Sequence, residues 1–381
     1  MYILSIVSIE RCRTYSSTEV KSAINKCINN LGGIDKYVKK SDKVFLKANL
    51  LKKNKPDDAV TTHPAIVEAV ANIVKDIGAI PIIGDSPSGP FSERALKGIY
   101  ESTGMEEVSK RTGAELNFIT DELSVKIPGG KVIKQATIMK AIMDCDLIIS
   151  IPKLKTHGMT VYTGAVKNQF GVIPGLVKAG YHLTMSNIKD FADMLIDLNN
   201  FLRPVLTFMD AVVGMEGNGP SAGKPKDIGL IIASNDVFSL DTVATSIIGL
   251  KPEDVPTVFM AQKRGYGKLE DIDIKGLSIN DAKVSDFDIP TLRGFSVTEK
   301  IPPFLSKYID KYVKPYPEFN HEICKSCGIC VSSCPPKALK MINRKPLVDL
   351  KTCIRCFCCQ ELCPHKAVKI KRPYLSKFLY R

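Results

Sequence analysis

The chain has 381 residues, of which 44% are hydrophobic and 24% charged, a balance typical of a globular protein with room for two or three cores. The formal net charge is +13, but much of the excess lies between Lys325 and Arg381, and no basic stretch is interleaved with aromatic residues as in RNA-binding segments. Nucleic-acid binding is therefore not predicted, and no segment has the length of a membrane span.

Residues 1–300 alternate between short apolar runs and segments with apolar residues three and four apart, which indicates alternating strands and helices. The apolar runs are continuous, as is typical of parallel strands buried on both faces. We therefore predict an α/β body over residues 1–300, in one lobe or two, with mostly parallel sheets. The predicted strands are 44–50, 81–85, 115–120, 146–152, 204–213 and 228–234, and the clearest helical patterns are 64–79, 191–203 and 238–250.

Four polar loops follow strands of this predicted body. Ligands of open α/β sheets bind at the carboxyl ends of the strands, so these loops are predicted to surround one cleft. Taken singly, each loop also suits an ordinary turn or helix cap. The loops are 51–64 with Thr61, Thr62 and His63; 84–90 with Asp85 and Ser86; 153–175 with Lys153, Lys155, His157, Lys167 and Asn168; and 214–225 with Glu216, preceded by Asp210.

The third loop carries the densest set of charged side chains. Its lysines predict a small anionic ligand such as a carboxylate or phosphate, and His157 is the candidate proton donor. No GxGxxG or GxxxxGK[ST] motif is present, so neither nicotinamide binding nor P-loop hydrolysis is predicted, while a flavin or another cleft cofactor stays open. The candidate cofactor-binding residues are Lys153, Lys155, Asp85 and Glu216.

Two cysteine runs near the C-terminus share the spacing C-x2-C-x2-C-x3-C-P. This is the ligand pattern of bacterial two-cluster ferredoxins, in which the fourth cysteine of each run binds the other cluster. Structural zinc is the alternative, but paired zinc ribbons separate their C-x2-C pairs by a long spacer. We predict two [4Fe-4S] clusters, one held by Cys324, Cys327, Cys330 and Cys363 and the other by Cys353, Cys356, Cys359 and Cys334.

The cysteine runs define a small α+β ferredoxin-like domain at residues 321–372. Its two halves are each predicted to be a cluster loop followed by a short helix, at 336–341 and at 365–370. Residues 301–320, rich in proline and tyrosine, are predicted to be a linker. The basic and aromatic tail, 373–381, suits either a membrane or partner contact or packing on the body.

The remaining thiols bear on the cellular compartment. Cys358 does not keep the spacing of the ligands and is expected to be a small neighbour of a cluster, whereas Cys12, Cys27 and Cys145 are expected to be buried free thiols. Free thiols beside air-sensitive clusters predict a reducing compartment. The start, MYILSIVSIE, lacks the features of a signal peptide, so a cytoplasmic location is expected.

Five strings that occur in order, TTHPAIVEAV, IGDSP, IPKLKTHGMT, TGAVKNQFG and DAVVGMEGNGP, resemble the domain of unknown function 362 family. In that family such a body is often fused to a double-cluster ferredoxin module. The resemblance covers nearly the whole chain and implies cluster binding and a redox role, without a substrate. The chain departs from the family at SNDVFSLD, where a proline is expected after Asp236.

A second resemblance concerns the stretch from His157 to His182 alone. Its order and spacing are similar to the active-site loop of nickel-pincer lactate racemases, although those enzymes have a serine-glycine-glycine run where this chain reads YTGAVK. The resemblance implies acid/base catalysis by His157, a cofactor or phosphate contact for Lys167 and a metal contact for His182. A shared pocket geometry is favoured over a shared nickel cofactor.

The favoured function is a reductase that passes low-potential electrons from a partner protein through the clusters to an anionic substrate or cofactor in the cleft. One alternative is a non-catalytic electron-transfer or docking subunit. Another is a non-redox enzyme related to lactate racemases. The substrate, the electron donor and the oligomeric state do not follow from the sequence.

Overall fold

The computed structural model describes residues 5–289, 315–371 and 373. These residues form an α/β body on a ten-stranded sheet, followed by a small domain built from cysteine-containing loops and two-stranded sheets. The strands are Ser5–Arg11 (β1), Lys43–Ala48 (β2), Ile80–Gly84 (β3), Glu115–Leu116 (β4), Glu122–Lys126 (β5), Gln135–Met139 (β6), Leu147–Ile151 (β7), Lys153–His157 (β8), Val161–Thr163 (β9), Leu206–Glu216 (β10), Lys224–Ser234 (β11), Ile272–Gly276 (β12), Tyr316–Phe319 (β13), Leu339–Ile342 (β14), Lys345–Val348 (β15) and Val368–Lys371 (β16).

The helices follow the predicted apolar periodicity where they are long. Pro64 begins the second helix, and its ring presets the backbone angle of a first helical turn. The α-helices are Ser17–Asn30 (α1), Pro64–Asp76 (α2), Glu93–Thr103 (α3), Met105–Thr112 (α4), Lys140–Met143 (α5), Ala165–Asn168 (α6), Val177–Thr184 (α7), Ile188–Leu202 (α8), Val237–Ile247 (α9), Pro256–Lys263 (α10), Ile279–Ala282 (α11), Ile329–Ser332 (α12) and Cys358–Leu362 (α13).

The large sheet has the strand order β12-β1-β11-β10-β7-β2-β3-β4, with β8 paired to β10 and β9 paired to β8. Strands β10, β7, β2, β3 and β4 form parallel pairs, whereas β11 is antiparallel to both β10 and β1. The predicted α/β body with a mostly parallel sheet is confirmed. The antiparallel pair β10 and β11 was not predicted, because a buried apolar run does not reveal the direction of its strand.

Apolar side chains cover both faces of the large sheet. Strand β2 shows the alternation, since Val44 and Leu46 join the core under α1, α2 and α4, and Phe45 joins the core under α8, α9 and α10. Burial on both faces explains why the strand sequences are continuously apolar. The helices therefore occupy the two faces, and the carboxyl ends of the parallel strands are left for the polar loops.

Strand β4 ends at Leu116, before the predicted end at residue 120, because Asn117 turns the chain. The side-chain oxygen of Asn117 accepts the backbone amide of Ile119 at 3.1 Å. The backbone amide of Asn117 donates to the carbonyl of Ile83 at 2.9 Å. Asparagine bonds to the backbone two residues ahead in this way in many turns. The apolar side chains that follow therefore lie in a loop.

Residues 153–157 were predicted to begin a polar loop, and this prediction is wrong. They form β8, a fully buried strand that pairs with β10 and β9. Its lysines are accommodated because each has a polar partner: the Lys153 ammonium lies 2.8 Å from an Asp210 oxygen, and that of Lys155 lies 2.7 Å from the Asn49 side-chain oxygen. Apolar patterning alone cannot predict a buried strand of this kind.

The predicted short helices at 336–341 and 365–370 of the small domain are also wrong. Those residues contribute to β14 and β16, and the helices α12 and α13 lie earlier, within the cysteine runs. Lys337 and Lys366 adopt φ angles of 52° and 53°, which no right-handed helix contains. Strand β14 pairs with β15 and β13 with β16, so the predicted α+β character of this domain is confirmed.

Strand β13 lies within the predicted linker, so this end of the linker is part of the small domain. The linker residues 301–314 and the tail residues 374–381 lie outside the described residues. Among the residues that the structure describes, no helix combines the length and the apolar character needed to cross a bilayer.

Candidate functional site

Helix α13 of the small domain is bonded directly to loops of the body. The side-chain amide of Gln360 donates to the carbonyl of Asn218 at 2.8 Å. The Lys52 ammonium donates to the carbonyls of Glu361 and Cys363, each at 3.0 Å. These bonds hold the second cysteine run against the loops of the body. Residues of both domains can therefore line the same cavity.

The cysteines of the two runs line two separate cavities in the small domain. Backbone amides donate to their sulfurs, as Ala338 does to Cys334 at 3.2 Å and Ala367 to Cys363 at 3.3 Å. The structure brings together the four cysteines that the ferredoxin pattern assigns to each cluster, and Cys358 also lines the second cavity. The first cysteine cavity is lined by Cys324, Cys327, Cys330 and Cys363, and the second by Cys334, Cys353, Cys356 and Cys359.

This arrangement suits iron-sulfur clusters better than single metal ions. Across residues 5–289 and 315–371, no three His, Cys, Asp or Glu side chains are close enough together to hold one ion. A zinc ion needs its ligands at about 2.3 Å, whereas a four-iron cube holds its thiolates around a wider core. Amides that donate to the sulfurs also stabilise thiolate ligands. The residues present therefore fit [4Fe-4S] clusters.

Glu361 projects from α13 into the polar loops of the body. One carboxylate oxygen accepts the hydroxyl of Ser88 at 2.7 Å, and the other lies 3.9 Å from Nε2 of His157. Burial opposes the charge of this carboxylate, but Lys167, the Ser88 hydroxyl and His182 hold the pKa of Glu361 below its ordinary value. The small domain thus supplies a negative charge to the loops of the body.

His157 presents a single ring nitrogen to this region. Its Nδ1 accepts the backbone amides of Met159 at 3.0 Å and Thr160 at 3.3 Å, so the proton of the neutral ring is on Nε2. Burial holds the pKa of His157 well below its ordinary value. Nε2 is buried and has no hydrogen-bond partner among the described residues. The ring therefore offers an N–H group directed toward Glu361.

A cavity of about 250 Å³ lies next to Glu361, between the body and the small domain. We call it the interdomain cavity. Cys334, from the second cysteine set, is in its wall, and so is Cys358, which also lines the second cysteine cavity. The body contributes Lys167, Lys178, His182, Phe170 and Leu176 to the same cavity.

The lysines at this junction differ in how fully they are engaged. Burial lowers the pKa of both Lys155 and Lys178 to about 7, and it also lowers the pKa of Lys167. Lys155 donates to Asn49 at 2.7 Å, and Lys178 donates to the carbonyl of Ser86 at 2.6 Å. The Lys167 ammonium makes no hydrogen bond to the described residues, although it faces Glu361. Lys167 is therefore the ammonium group with most capacity for a ligand.

His182 lines the interdomain cavity from α7. Its ring stacks on Phe191 with the ring centres 4.8 Å apart, and its Nδ1 has no hydrogen-bond partner within the described part of the chain. Burial lowers the pKa of His182 to about 4, so the ring is neutral near pH 7. The structure thus brings His157, Lys167 and His182 to one region.

Lys153 and Glu216 are not brought to this region. Lys153 is fully buried against Asp210, which also accepts the hydroxyl of Tyr15 at 2.9 Å and the backbone amide of His63 at 2.9 Å. This ion pair engages the ammonium group that was predicted to contact a cofactor. Glu216, at the end of β10, accepts the amide of Asp288 at 2.9 Å.

Asp85 does lie beside Glu361, but it already has a partner. One oxygen is 2.6 Å from the Lys47 ammonium, and the other accepts the amide of Leu50 at 2.8 Å. Thr62 likewise has a structural role, because its hydroxyl donates to the carbonyl of Ile151 at 2.6 Å. Asp85 therefore forms part of the wall beside the polar loops.

Sequence reasoning missed Glu361 and Lys178 as members of this site. Glu361 lies between two predicted cluster ligands, which is a reason to inspect it, but its partners belong to the body. Lys178 lies on the short helix α7 and carries no motif. Only the docking of the two domains brings these side chains together.

The fold and the site define a class of protein: an α/β body with cationic loops that meets a cysteine-rich α+β module across a shared cavity. The chain belongs to the family described as Domain of unknown function (DUF362), whose model matches residues 44–246. The membership predicted from the five strings is confirmed. A model described as 4Fe-4S dicluster domain matches residues 316–364, so the protein is an iron-sulfur protein.

Similar proteins include the thylakoid-associated protein sll1697 of Synechocystis sp., which is 34% identical over 266 residues, 68% of this chain and 79% of that protein. The lactate racemase apoprotein of Thermoanaerobacterium thermosaccharolyticum is 13% identical, with a TM-score of 0.37 over 61% of this chain and 54% of that one. A protein from Thermotoga maritima is 11% identical, with a TM-score of 0.34 over 58% of this chain and 56% of that one. The chain thus spans little more than half of either solved structure.

Proposed function

We propose that the protein is an oxidoreductase that takes low-potential electrons from a redox partner protein and delivers them to a small anionic ligand in the interdomain cavity. The observation that carries this proposal is the composition of the cavity wall. Cys334, a proposed cluster ligand, shares that wall with Lys167, Lys178 and His182 of the body. Two [4Fe-4S] clusters, when bound, supply one-electron transfer at low potential.

The side chains of the body have distinct roles in this proposal. Lys167 attracts the anion and orients it, because its ammonium group keeps its hydrogen-bonding capacity. His157 holds a proton on Nε2, beside the space where the ligand is reduced. His182 contributes a second uncharged ring, and Phe170 and Leu176 add apolar surface to the cavity wall.

We propose that the protein works in the cytoplasm. The support for this location comes from the cysteines. Cys12 and Cys27 are buried free thiols, and burial raises the pKa of each to about 12, so both stay protonated. Unpaired thiols are typical of reducing compartments. A membrane contact through the tail is a second proposal, supported by the thylakoid association in the name of the relative.

A non-redox enzyme is the second candidate function. The presence of His157, Lys167 and His182 around two adjoining cavities favours it, since these are the residues that the racemase-like loop singles out. In that case the clusters would serve structure or sensing. Turnover that continues after the clusters are removed would favour this candidate over the reductase.

The test begins with anaerobic purification and mass spectrometry of any small molecule that copurifies. The protein is then reduced with dithionite, and its visible absorbance is followed after that molecule is added. Reoxidation of the clusters that is stoichiometric with reduction of the molecule supports the reductase. A cavity that binds no small molecule contradicts it and favours a docking subunit.

Iron analysis provides the first quantitative prediction. The two cysteine cavities predict about eight iron and eight acid-labile sulfide per chain after anaerobic reconstitution, because each four-iron cluster has four sulfides. The measurement combines colorimetric iron and sulfide assays with visible absorbance. Stoichiometric zinc without that absorbance would contradict the prediction.

Replacing His157 or Lys167 by alanine is expected to weaken binding of the anionic ligand roughly ten- to a hundredfold, because each change removes a donor in or next to the interdomain cavity. The melting temperature and the iron content are expected to change little. Calorimetric titration of each variant against the copurifying molecule measures the effect. Lys21→Ala, at an exposed position on α1, is the control. Normal binding by both variants would move the search to the loop that follows Asp210.

A further inference from the structure

A second, smaller cavity of about 50 Å³ surrounds the carboxylate of Glu361. We call it the Glu361 pocket. Within the described residues, the body contributes Ser88, Lys155, His157 and Lys167 to its wall, and the small domain contributes Glu361. The pocket is thus built mostly by the body, and the small domain adds one carboxylate to it.

Apart from Glu361, the ionisable side chains in the described wall of this pocket are mainly basic. Lys155, Lys167 and Lys178 line it, and the acidic side chain that the described part of the body adds, Asp85, is 2.6 Å from the Lys47 ammonium. Buried positive charge is costly unless an anion compensates for it. The body therefore presents a site for an anion whether or not the small domain provides one.

Glu361 satisfies the donors of this pocket incompletely. Its carboxylate accepts the Ser88 hydroxyl at 2.7 Å, but it lies 3.9 Å from Nε2 of His157, beyond hydrogen-bond distance. His157 is only 2% exposed, and its Nε2 has no other partner among the described residues. A buried N–H group that points at a carboxylate without reaching it leaves room for an acid group that approaches more closely.

The Glu361 pocket adjoins the interdomain cavity. Ser88, Lys167, Phe170 and Lys178 line both spaces, as does Glu361 itself. A ligand can therefore place its acid group in the pocket and the rest of the molecule in the interdomain cavity. Because Phe170, Leu176 and Leu362 line that cavity, the rest of the ligand is predicted to be apolar.

We propose that the Glu361 pocket is a carboxylate-binding subsite, which Glu361 occupies as an internal carboxylate and which takes the acid group of a substrate in its place. The substrate class is then a carboxylic acid with an apolar remainder. This inference rests on the proposed function, because only that function makes the bound acid a substrate. Its test measures binding and requires no turnover. Ser88, His157 and Lys167 are the predicted donors to the acid group.

The test uses the full chain with its clusters and acetate as the probe, measured by anaerobic calorimetric titration. Glu361→Ala opens the pocket and is expected to bind acetate roughly tenfold or more tightly than the unchanged protein. Glu361→Gln keeps the pocket filled and is expected to gain no such binding. Adding Lys167→Ala to Glu361→Ala is expected to abolish the gain. Glu318→Ala, which removes an exposed carboxylate of the small domain away from the pocket, is the control.

Iron content and limited proteolysis establish that each variant keeps its clusters and its docked domain. If Glu361→Ala loses iron, Glu361→Ser replaces it, because serine also vacates the pocket. Equal acetate binding by the vacated variant and the unchanged protein would overturn the proposal, as would binding of inorganic phosphate in preference to acetate. Acetate binding without any reoxidation of clusters by a substrate would contradict the proposed reductase and support the subsite.

Discussion

Replacing Cys363 by alanine is expected to remove the cluster held by the first cysteine run, although Cys363 belongs to the second. The reason is spatial, since Cys363 lines the same cavity as Cys324, Cys327 and Cys330. About four of the eight iron are expected to be lost, because each cube holds four. Iron analysis and electron paramagnetic resonance of the reduced protein measure this loss.

The identity of the lost cluster is read by comparison with two other variants. The resonance spectrum of Cys363→Ala is expected to match that of Cys324→Ala and to differ from that of Cys356→Ala. Cys358→Ala is the control, because Cys358 lies on α13, which ends just before Cys363, and belongs to neither predicted ligand set. A Cys363→Ala spectrum that matches Cys356→Ala would show that each run binds its own cluster.

Asp210→Ala is expected to destabilise the body by about 3–5 kcal/mol, the usual effect of removing one partner of a buried ion pair. Asp210 and Lys153 are both fully buried, with their charged atoms 2.8 Å apart. The substitution leaves the Lys153 ammonium without its carboxylate, and it also removes the acceptor of the Tyr15 hydroxyl and the His63 amide. Anaerobic urea unfolding, followed by circular dichroism, gives the change in free energy.

Two further variants separate loss of the ion pair from loss of a side chain. Asp286→Ala removes an exposed carboxylate whose partner is Lys226, and it is expected to leave the unfolding midpoint unchanged. Asp210→Leu combined with Lys153→Met is expected to recover much of the stability, because an apolar pair leaves no charge unpaired. An unchanged midpoint for Asp210→Ala would show that the ion pair contributes little to the fold.

The features that could be predicted from the sequence are those determined by residues close together in the chain. The central parallel strands were predicted to within a few residues, because burial on both faces leaves an unbroken apolar run in the sequence. The cysteine spacing likewise predicted which three sulfurs of each run share a cavity, because ligand spacing within a tight loop is a short-range property, and the two-cluster ferredoxin pattern supplied the fourth from the other run. Helix α2 was predicted from its starting proline and its apolar period.

The errors concern residues whose environment is set by distant parts of the chain. Strand β8 has lysines where an apolar pattern would be expected, and partners from other elements, among them Asp210 and Asn49, make their burial possible. The alanine and lysine residues at 336–341 and 365–370 favour helices locally, but strand pairing determines their structure instead. The role of Glu361 depends on docking between domains, which no local pattern indicates.

The two cysteine cavities differ in their access to solvent. Cys327, in the first cavity, is exposed, whereas Cys359, in the second, is buried. The second cavity also shares Cys334 and Cys358 with the wall of the interdomain cavity. The small domain therefore has an outward end and an inward end, which would give the proposed electron transfer a direction. We expect a donor protein to dock around Cys327 and Lys325, so that electrons enter at the surface and leave at Cys334.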